Sequence, residues 1–563
     1  MEKMCANGWC ETSFEVTDDD LAFYEKVSPV IGGKKFLVPS PTLCPECRCQ
    51  RRLAQVNRCH LFRGKSAFTG KEIISLYPMD RDLVIYENDI WWSDQWDPLE
   101  YGHDVETDKP LFPQLISLIK TTPHMALFND QNENSPYVNT TGWAKNCHLC
   151  YGADYSQDCY YSEGIYYSRN SLDCLHGQNL ERCYESTDCN DGYGLLFCQN
   201  CNNCTDSAFL YDCIGCKSCF GCVGLRHKEY CYFNEECGKE EYMRRMQQHF
   251  PLTQKEILAL QTKLRSLETR VSRMSFVGTN NEAVSGDYLF NSKNAAHCFD
   301  SDGLQDCRYC SNIRKAKDCQ DVNYWGHPGE LCYESLAVGE NASHILFSLF
   351  VWGGTENMLY CFECISCSNC FGCSGLRHKK YCIFNKQYSK EEYESRVCEI
   401  IETMQKNHEW GEFLPIPASL SAYNETLAQR FYPLTKSVTE ERGWLWREVI
   451  DEIPKVTKII PATQLPERID AIPDDILQWA IQCEATKRPF RILKAELEFY
   501  RAFGLPIPHH HPDERLKERW LLRNPRKLWN RKCDNCGKGI ETTYAPERPE
   551  IVYCEECYLK AVY

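Results

Sequence analysis

Each of the fifteen cysteines from Cys147 to Cys237 stands at a position divisible by three. Chance would put about a third of them there, so a repeat with a three-residue rhythm is the cause. The other positions in that phase are small or apolar, among them Ala153, Ser156, Ser162, Ser168, Ser171, Gly177, Ser186, Gly192 and Ser207. This rhythm fits neither a helix nor a flat strand, but it fits a thin β-solenoid whose short sides turn every third side chain into a narrow interior. Within the phase Ile165, Leu180, Leu195, Leu210 and Leu225 recur every fifteen positions, which sets an expected coil of fifteen residues with five inward side chains. Stacking would then bring Cys174 near Cys189, Cys204 and Cys219 as a ladder. Two rival readings stay open: a row of zinc knuckles from Cys198, Cys201, Cys204, Cys213, Cys216, Cys219 and Cys222, and disulfide rungs such as Cys213 with Cys219.

The block returns downstream. Cys213, Cys216, Cys219, Cys222 and Cys231 meet Cys364, Cys367, Cys370, Cys373 and Cys382 at an offset of 151, and ERCYES (181–186) returns as ELCYES (330–335). The three-residue phase slips by one between Cys319 and Cys361, which places a loop or bulge there. The shared GLRHK at 224–228 and 375–379 reads as the outward turn that ends a coil. Helix-forming sequence follows each block, KEEYMRRMQQ and then SKEEYESRVCEIIETMQ, and is expected to cap the open end. Thr253 and Glu256 form a capping-box pattern ahead of Ile257, Leu260, Leu264, Leu267, Val271 and Met274. So short a seam favours packing on the chain's own solenoid, with a homodimer through 253–274 as the sharper alternative.

The two ends are copies of each other. FEVTDDDLAFY (14–24) parallels FRILKAELEFY (490–500), VPSPTLCPECRCQRR (38–52) parallels LPIPHHHPDERLKER (505–519), and TGKEIISLYPMDR (69–81) parallels CGKGIETTYAPER (536–548). Their cysteines are complementary. The first segment offers Cys5, Cys10, Cys44 and Cys47 in the N-terminal copy, where the C-terminal copy keeps Cys483 with Thr486, His511 and Glu514. The second offers Cys533, Cys536, Cys554 and Cys557 in the C-terminal copy, where the N-terminal copy has Ser66, Thr69, Glu87 and Ile90. Four thiolates from two short knuckles close a tetrahedron around Zn²⁺ and leave no open position for water, so one or two structural zinc ions are expected. Cys49 or Cys59 could substitute in the irregular N-terminal set, and buried free thiols are the plain alternative.

The expected fold is therefore mainly β with α: an N-terminal zinc-ribbon module (1–140), a first cysteine-rich solenoid (141–238), a helical cap or linker (239–280), a second solenoid (281–386), a helical Pro-punctuated connector (387–480) and a C-terminal zinc-ribbon module (481–563). The tryptophans Trp91, Trp92 and Trp96 are expected to pack a small domain. No apolar run approaches membrane-spanning length and the first residues lack a secretory pattern, so a cytoplasmic protein is expected. A net charge of -16 opposes a surface that coats nucleic acid throughout. Two basic runs are exceptions, one with Arg48, Arg51 and Arg52 and one with Arg515, Arg519, Arg523, Arg526 and Lys527. They are candidates for RNA or DNA contact, or for pairing with the chain's own acids.

CPECRCQRR, YENDIWWSDQWDPLEYG, NDQNENSPYVN, KNCHLCYGADYSQDC, CFGCVGLRHK, RNPRKLW and TTYAPERPEIVYCEECY together resemble an uncharacterised bacterial family of multi-CxxC zinc-ribbon proteins. The likeness covers nearly the whole chain, and the tail resembles a CxxC-x17-CxxC zinc-ribbon domain. Relatives carry CxxC pairs where Ser66, Thr69, Glu87 and Ile90 stand, which implies a lost metal site there. The expected role is a zinc-binding, non-enzymatic scaffold that meets nucleic acid through its terminal modules or protein partners on its solenoid faces. A thiol-rich metal-handling or redox protein is the alternative. The chain has no glycine-rich phosphate loop, HExxH or G-x-S-x-G. Cys59 and His60 beside Arg58 and Arg63 form a local setting for a reactive thiol, and His509, His510 and His511 read as a Pro-flanked turn.

Overall fold

From Asn129 to Tyr232 the backbone pairs in parallel with the residue twelve positions on: Thr141 with Asn129, Glu163 with Leu175, Leu175 with Thr187, Tyr193 with Thr205, Phe220 with Tyr232. The structure, a computed structural model, describes residues 1–323, 330–448 and 454–562. It is a mixed α and β chain with one sheet of eleven strands and another of five. Twelve residues at three per side make a turn of four sides, so the fifteen-residue coil is corrected to twelve. Ile165, Leu180, Leu195, Leu210 and Leu225 misled because fifteen is one turn plus one side. Each large side chain sits in the next layer and one side further round, so the narrow interior takes about one per layer. Gly177 and Gly192 make the room: a Cβ on either would lie 2.5 and 2.6 Å from a methyl of Leu180 and Leu195. Cys174 consequently lies between Ser162 and Ser186, not beside Cys189.

The inward cysteines and serines have a common reason. An N–H pointing along the stack must find an acceptor inside it. Cys147, Cys174, Leu180, Cys183 and Cys219 donate their N–H to the hydroxyls of Ser135, Ser162, Ser168, Ser171 and Ser207, one turn earlier, at 2.9–3.3 Å. Thiols sit within reach of backbone carbonyls, as Cys150 does with Cys159 O at 3.2 Å and Cys204 with Cys213 O at 3.4 Å. The residue before each inward position turns the corner in the left-handed region; Asn146, Asp158, Tyr161, Asn170, Asp173 and Asn200 have φ between 47° and 55°. Such corners cost about 1–2 kcal/mol each for most side chains, less for Asn and Asp, and the parallel ladder offsets them.

The second stack runs from Gly278 to Ile383. Its first spacing is eleven residues (Glu282 with Lys293), and most of the rest are twelve. Three successive turns carry thirteen: Lys317 pairs with Glu330, Glu330 with Ser343 and Ser343 with Glu356. Each of these turns slips the phase by one, and three restore it. This explains why Cys332 stands out of phase while Cys319 and Cys361 agree. The expected loop or bulge falls partly on 324–329, outside the described residues; the later extra residues lie in the corners at 339–342 and 352–355.

The ends cross over to reach the stacks. In the N-terminal copy, helices Asp18–Val27 and Pro45–Leu53 bury Phe23, Tyr24 and Leu53 in one core with Tyr333, Phe347 and Tyr360 of the second stack. In the C-terminal copy, helices Lys494–Phe503 and Pro512–Leu521 lie against the first stack, with Leu497 and Tyr500 in one core with Tyr184 and Phe209. Strand Ile85–Tyr86 pairs with His124–Met125, which leads into the first stack, and its copy Val552–Tyr553 pairs with Arg273–Met274, which leads into the second. Helices Lys239–His249 and Lys390–Lys406 follow the two stacks as expected. Helix Gln254–Glu268 turns Ile257, Leu260 and Leu264 into its own chain's core. Trp91 and Trp96 are buried, as expected, while Trp92 stays partly exposed. The connector is helical and short-turned at Leu427–Phe431 and Lys436–Glu441; its residues 449–453 lie outside the described residues. Among the described residues no helix is long and apolar enough to cross a membrane.

Candidate metal centres

Both predicted cysteine sets converge. The sulfurs of Cys5, Cys10, Cys44 and Cys47 lie within 4.8 Å of one another, as do those of Cys533, Cys536, Cys554 and Cys557. Cys10 and Cys44 are 3.8 Å apart, Cys536 and Cys554 likewise. A tetrahedron with metal–sulfur bonds of about 2.3 Å has edges of about 3.8 Å, so both sets fit a four-coordinate ion. Backbone N–H groups already point at the sulfurs: Cys44 N at Cys5 Sγ (3.4 Å), Cys47 N at Cys44 Sγ (3.5 Å) and Cys554 N at Cys533 Sγ (3.2 Å). These contacts favour thiolate at Cys44 and Cys533, whereas burial pushes Cys5 up and the contact with Cys44 pushes Cys47 up. The Cys47 side chain and the surrounding N–H groups hold Cys44 down to about 5. Burial opposes ionisation of Cys533, yet the N–H donors of Cys536 and Cys554 outweigh it and bring the thiol to about 6.

Cys44 is also the N-cap of helix Pro45–Leu53, so the first centre fixes the start of the helix that carries Arg48, Arg51 and Arg52. These arginines are not a basic face. Arg48 Nε meets Asp321 at 2.6 Å, Arg52 meets the same carboxylate at 3.2 Å, and Arg51 bridges Glu334 and Glu412 at 2.8 Å each. The C-terminal copy repeats the clamp: Arg515 and Arg519 hold Asp173 at 2.5 and 2.8 Å, and Arg519 reaches Glu185 at 3.3 Å. Arg523 pairs with Asp188 and Asp300, and Arg526 with Asp300. The side chains of Arg48, Arg51, Arg52, Arg515, Arg519, Arg523 and Arg526 are at most 13% exposed, so the expectation that they face phosphate is corrected to internal pairing. Of the predicted set only Lys527 is exposed, over the Trp529 ring at 5.3 Å.

The acids that receive the clamps were missed. Asp173 and Asp321 each lie one turn before the Tyr-Glu of ERCYES and ELCYES, and an aspartate shared at that place in both blocks was the available signal. Cys59 lies outside both centres; burial pushes its thiol up to about 12, and Arg430 donates to its sulfur at 3.5 Å. Burial thus disfavours its thiolate despite the arginines beside it. Cys49 likewise stays outside the cluster, 3.5 Å from Asn323 Nδ2. The C-terminal histidines make local contacts, His509 to Glu484 at 3.0 Å and His510 to Glu518 at 2.5 Å, and His511 caps helix Pro512–Leu521.

No family model matches the chain, and no curated protein matches it. A crystal structure described as "putative acetyltransferase from Desulfovibrio desulfuricans G20" aligns over 47% of this chain and 70% of its own, at 9% identity and a TM-score of 0.10. A superposition that loose carries no argument about fold or activity. Among the described residues the chain shows two four-cysteine sites able to hold a metal ion.

Proposed function

We propose that this chain is a zinc-binding, non-enzymatic scaffold in which two structural Zn²⁺ ions brace two duplicated ribbon modules against two β-solenoids of twelve-residue coils. The observation that carries the reading is the coupling of knuckle to clamp. Cys44 and Cys47 stand on the helix whose Arg48 and Arg52 hold Asp321. Four sulfur ligands favour zinc over harder ions and supply no catalytic water. In the stacks thiols such as Cys150 and Cys204 reach backbone carbonyls, a setting that suits a reduced core. Such an architecture presents long ordered faces to protein partners.

Chelation tests it. Treatment with a strong chelator under reducing conditions is expected to release zinc and loosen both terminal modules, read as new proteolytic cleavage within 1–60 and 525–563, and added Zn²⁺ is expected to restore protection. Release of zinc with no change in cleavage would remove the bracing role.

A further inference from the structure

The duplicated halves differ in one groove. In the N-terminal half, the segment after helix Lys390–Lys406 runs through a channel between the ribbon module and the second stack. Glu409 accepts from the N–H groups of Leu111 and Phe112, and Trp410 Nε1 donates to Leu37 O at 2.8 Å. Glu412 then accepts from Thr42 at 2.7 Å and Arg51 at 2.8 Å, and Pro415 O accepts from Gln55 at 3.2 Å. Ala54, between Arg51 and Gln55 on that side of the module, is 1% exposed.

The copies of Thr42, Arg51, Ala54 and Gln55 are His509, Glu518, Leu521 and Leu522. They line a groove of about 730 Å³ beside helix Gln254–Glu268. There is no counterpart of the segment that carries Glu412, because only four residues separate helix Lys239–His249 from helix Gln254–Glu268. Phe250 to Leu252 replace Trp410 alone: Leu252 N donates to Gly504 O, the copy of Leu37. Beyond that point Leu258, Leu521 and Leu522 stand 64%, 74% and 44% exposed along one groove. At that one position the charge is reversed, since Glu518, whose carboxylate also meets His510 Nδ1 at 2.5 Å, replaces Arg51.

We propose that this groove docks an extended peptide segment of a partner protein, carrying a basic side chain for Glu518 followed by apolar side chains for Leu521, Leu522 and Leu258. The proposal rests on the scaffold reading and names the chemistry of its partner. That segment of the other half is the template: a basic residue stands where Glu412 does, and its followers take the places of Phe413 and Leu414.

The test uses the full chain and two labelled peptides, one copying residues 409–417 and one with Glu412→Lys, with binding read by fluorescence anisotropy. The Lys peptide is expected to bind at least about tenfold tighter than the acidic one, a difference of about 1.4 kcal/mol. Glu518→Arg is expected to reverse the order, and Leu521→Asp, at a surface position, to weaken both while zinc content stays unchanged. No saturable binding of the Lys peptide, or an order indifferent to Glu518→Arg, would overturn the groove assignment. Self-association that Leu521→Asp abolishes would give the patch to a second copy and overturn it too. With bound zinc intact, either failure leaves the scaffold reading standing.

Discussion

The two terminal modules share a clamp and differ in what braces it. Arg48 and Arg52 on Asp321 match Arg515 and Arg519 on Asp173, position for position. Yet the N-terminal module keeps four cysteines only at its first site and the C-terminal module only at its second. Where cysteines are missing, hydrogen bonds hold the knuckle. Ser66 Oγ accepts from the N–H groups of Phe68 and Thr69, and Thr69 Oγ1 donates to Glu87 at 2.6 Å. In the C-terminal copy His511 N donates to Cys483 Sγ at 3.2 Å, and Arg488 holds Asp513 at 2.7 Å. One four-cysteine site per module stands beside a clamp that fastens the rest to a stack.

The largest expected effect separates the four-cysteine knuckle from the hydrogen-bonded one. Cys533→Ser is expected to remove one zinc and unfold the tail ribbon, since structural zinc contributes on the order of 10 kcal/mol to folding, whereas Ser66→Ala is expected to cost about 1 kcal/mol. Elemental analysis and thermal unfolding read both, and equal losses would end the distinction.

Next come the clamps. Arg52→Met and Arg519→Met each leave a buried aspartate short of a partner and are expected to cost about 3–5 kcal/mol in urea unfolding. A large cost in one half only would show that the duplicated clamps are not equivalent.

A pH series sharpens the comparison at a point both halves share. Glu163 of the first stack is fully buried; against that burial, Arg430 and Arg58 hold its carboxyl down to about 2. Its pKa is lower folded than unfolded, so its contribution is complete above about pH 4.5 and lost as pH falls toward 2, worth about 3 kcal/mol. Burial pushes Asp188 up to about 6, which acts oppositely and lowers stability as pH rises from about 4 to 6. Glu163→Gln is expected to flatten the acid limb of stability against pH and leave the upper limb unchanged.

The smallest effect is a repair. Ser66→Cys, Thr69→Cys, Glu87→Cys and Ile90→Cys together are expected to add one zinc with little change in melting temperature, because hydrogen bonds already hold that knuckle. Failure to bind the added ion would show that the backbone there no longer has knuckle geometry.

The four-cysteine sets were legible because ligand spacing is local: the spacing of Cys533, Cys536, Cys554 and Cys557 marks a candidate site before any fold is known. The inward phase was legible for the same reason. Coil length was not, because the leucines advance by one turn plus one side, and their fifteen-residue recurrence hides the twelve-residue pairing of Glu163 with Leu175. Left-handed corners were hidden where tyrosine or phenylalanine holds them, as at Tyr161 and Phe197. Charge runs mark arginines but not their partners, so Arg515 and Arg519 looked like a surface until Asp173 appeared beneath them.

The most direct measurement is native mass spectrometry of the chain purified under reducing conditions, with reactive thiols counted after denaturation in the presence of bound metal and again after its removal. The account predicts two zinc ions, with eight of the thirty-eight cysteines released as thiols only when the metal is removed. Five or more ions, or an iron–sulfur signature, would contradict it, because the inward cysteines of the stacks would then be ligands.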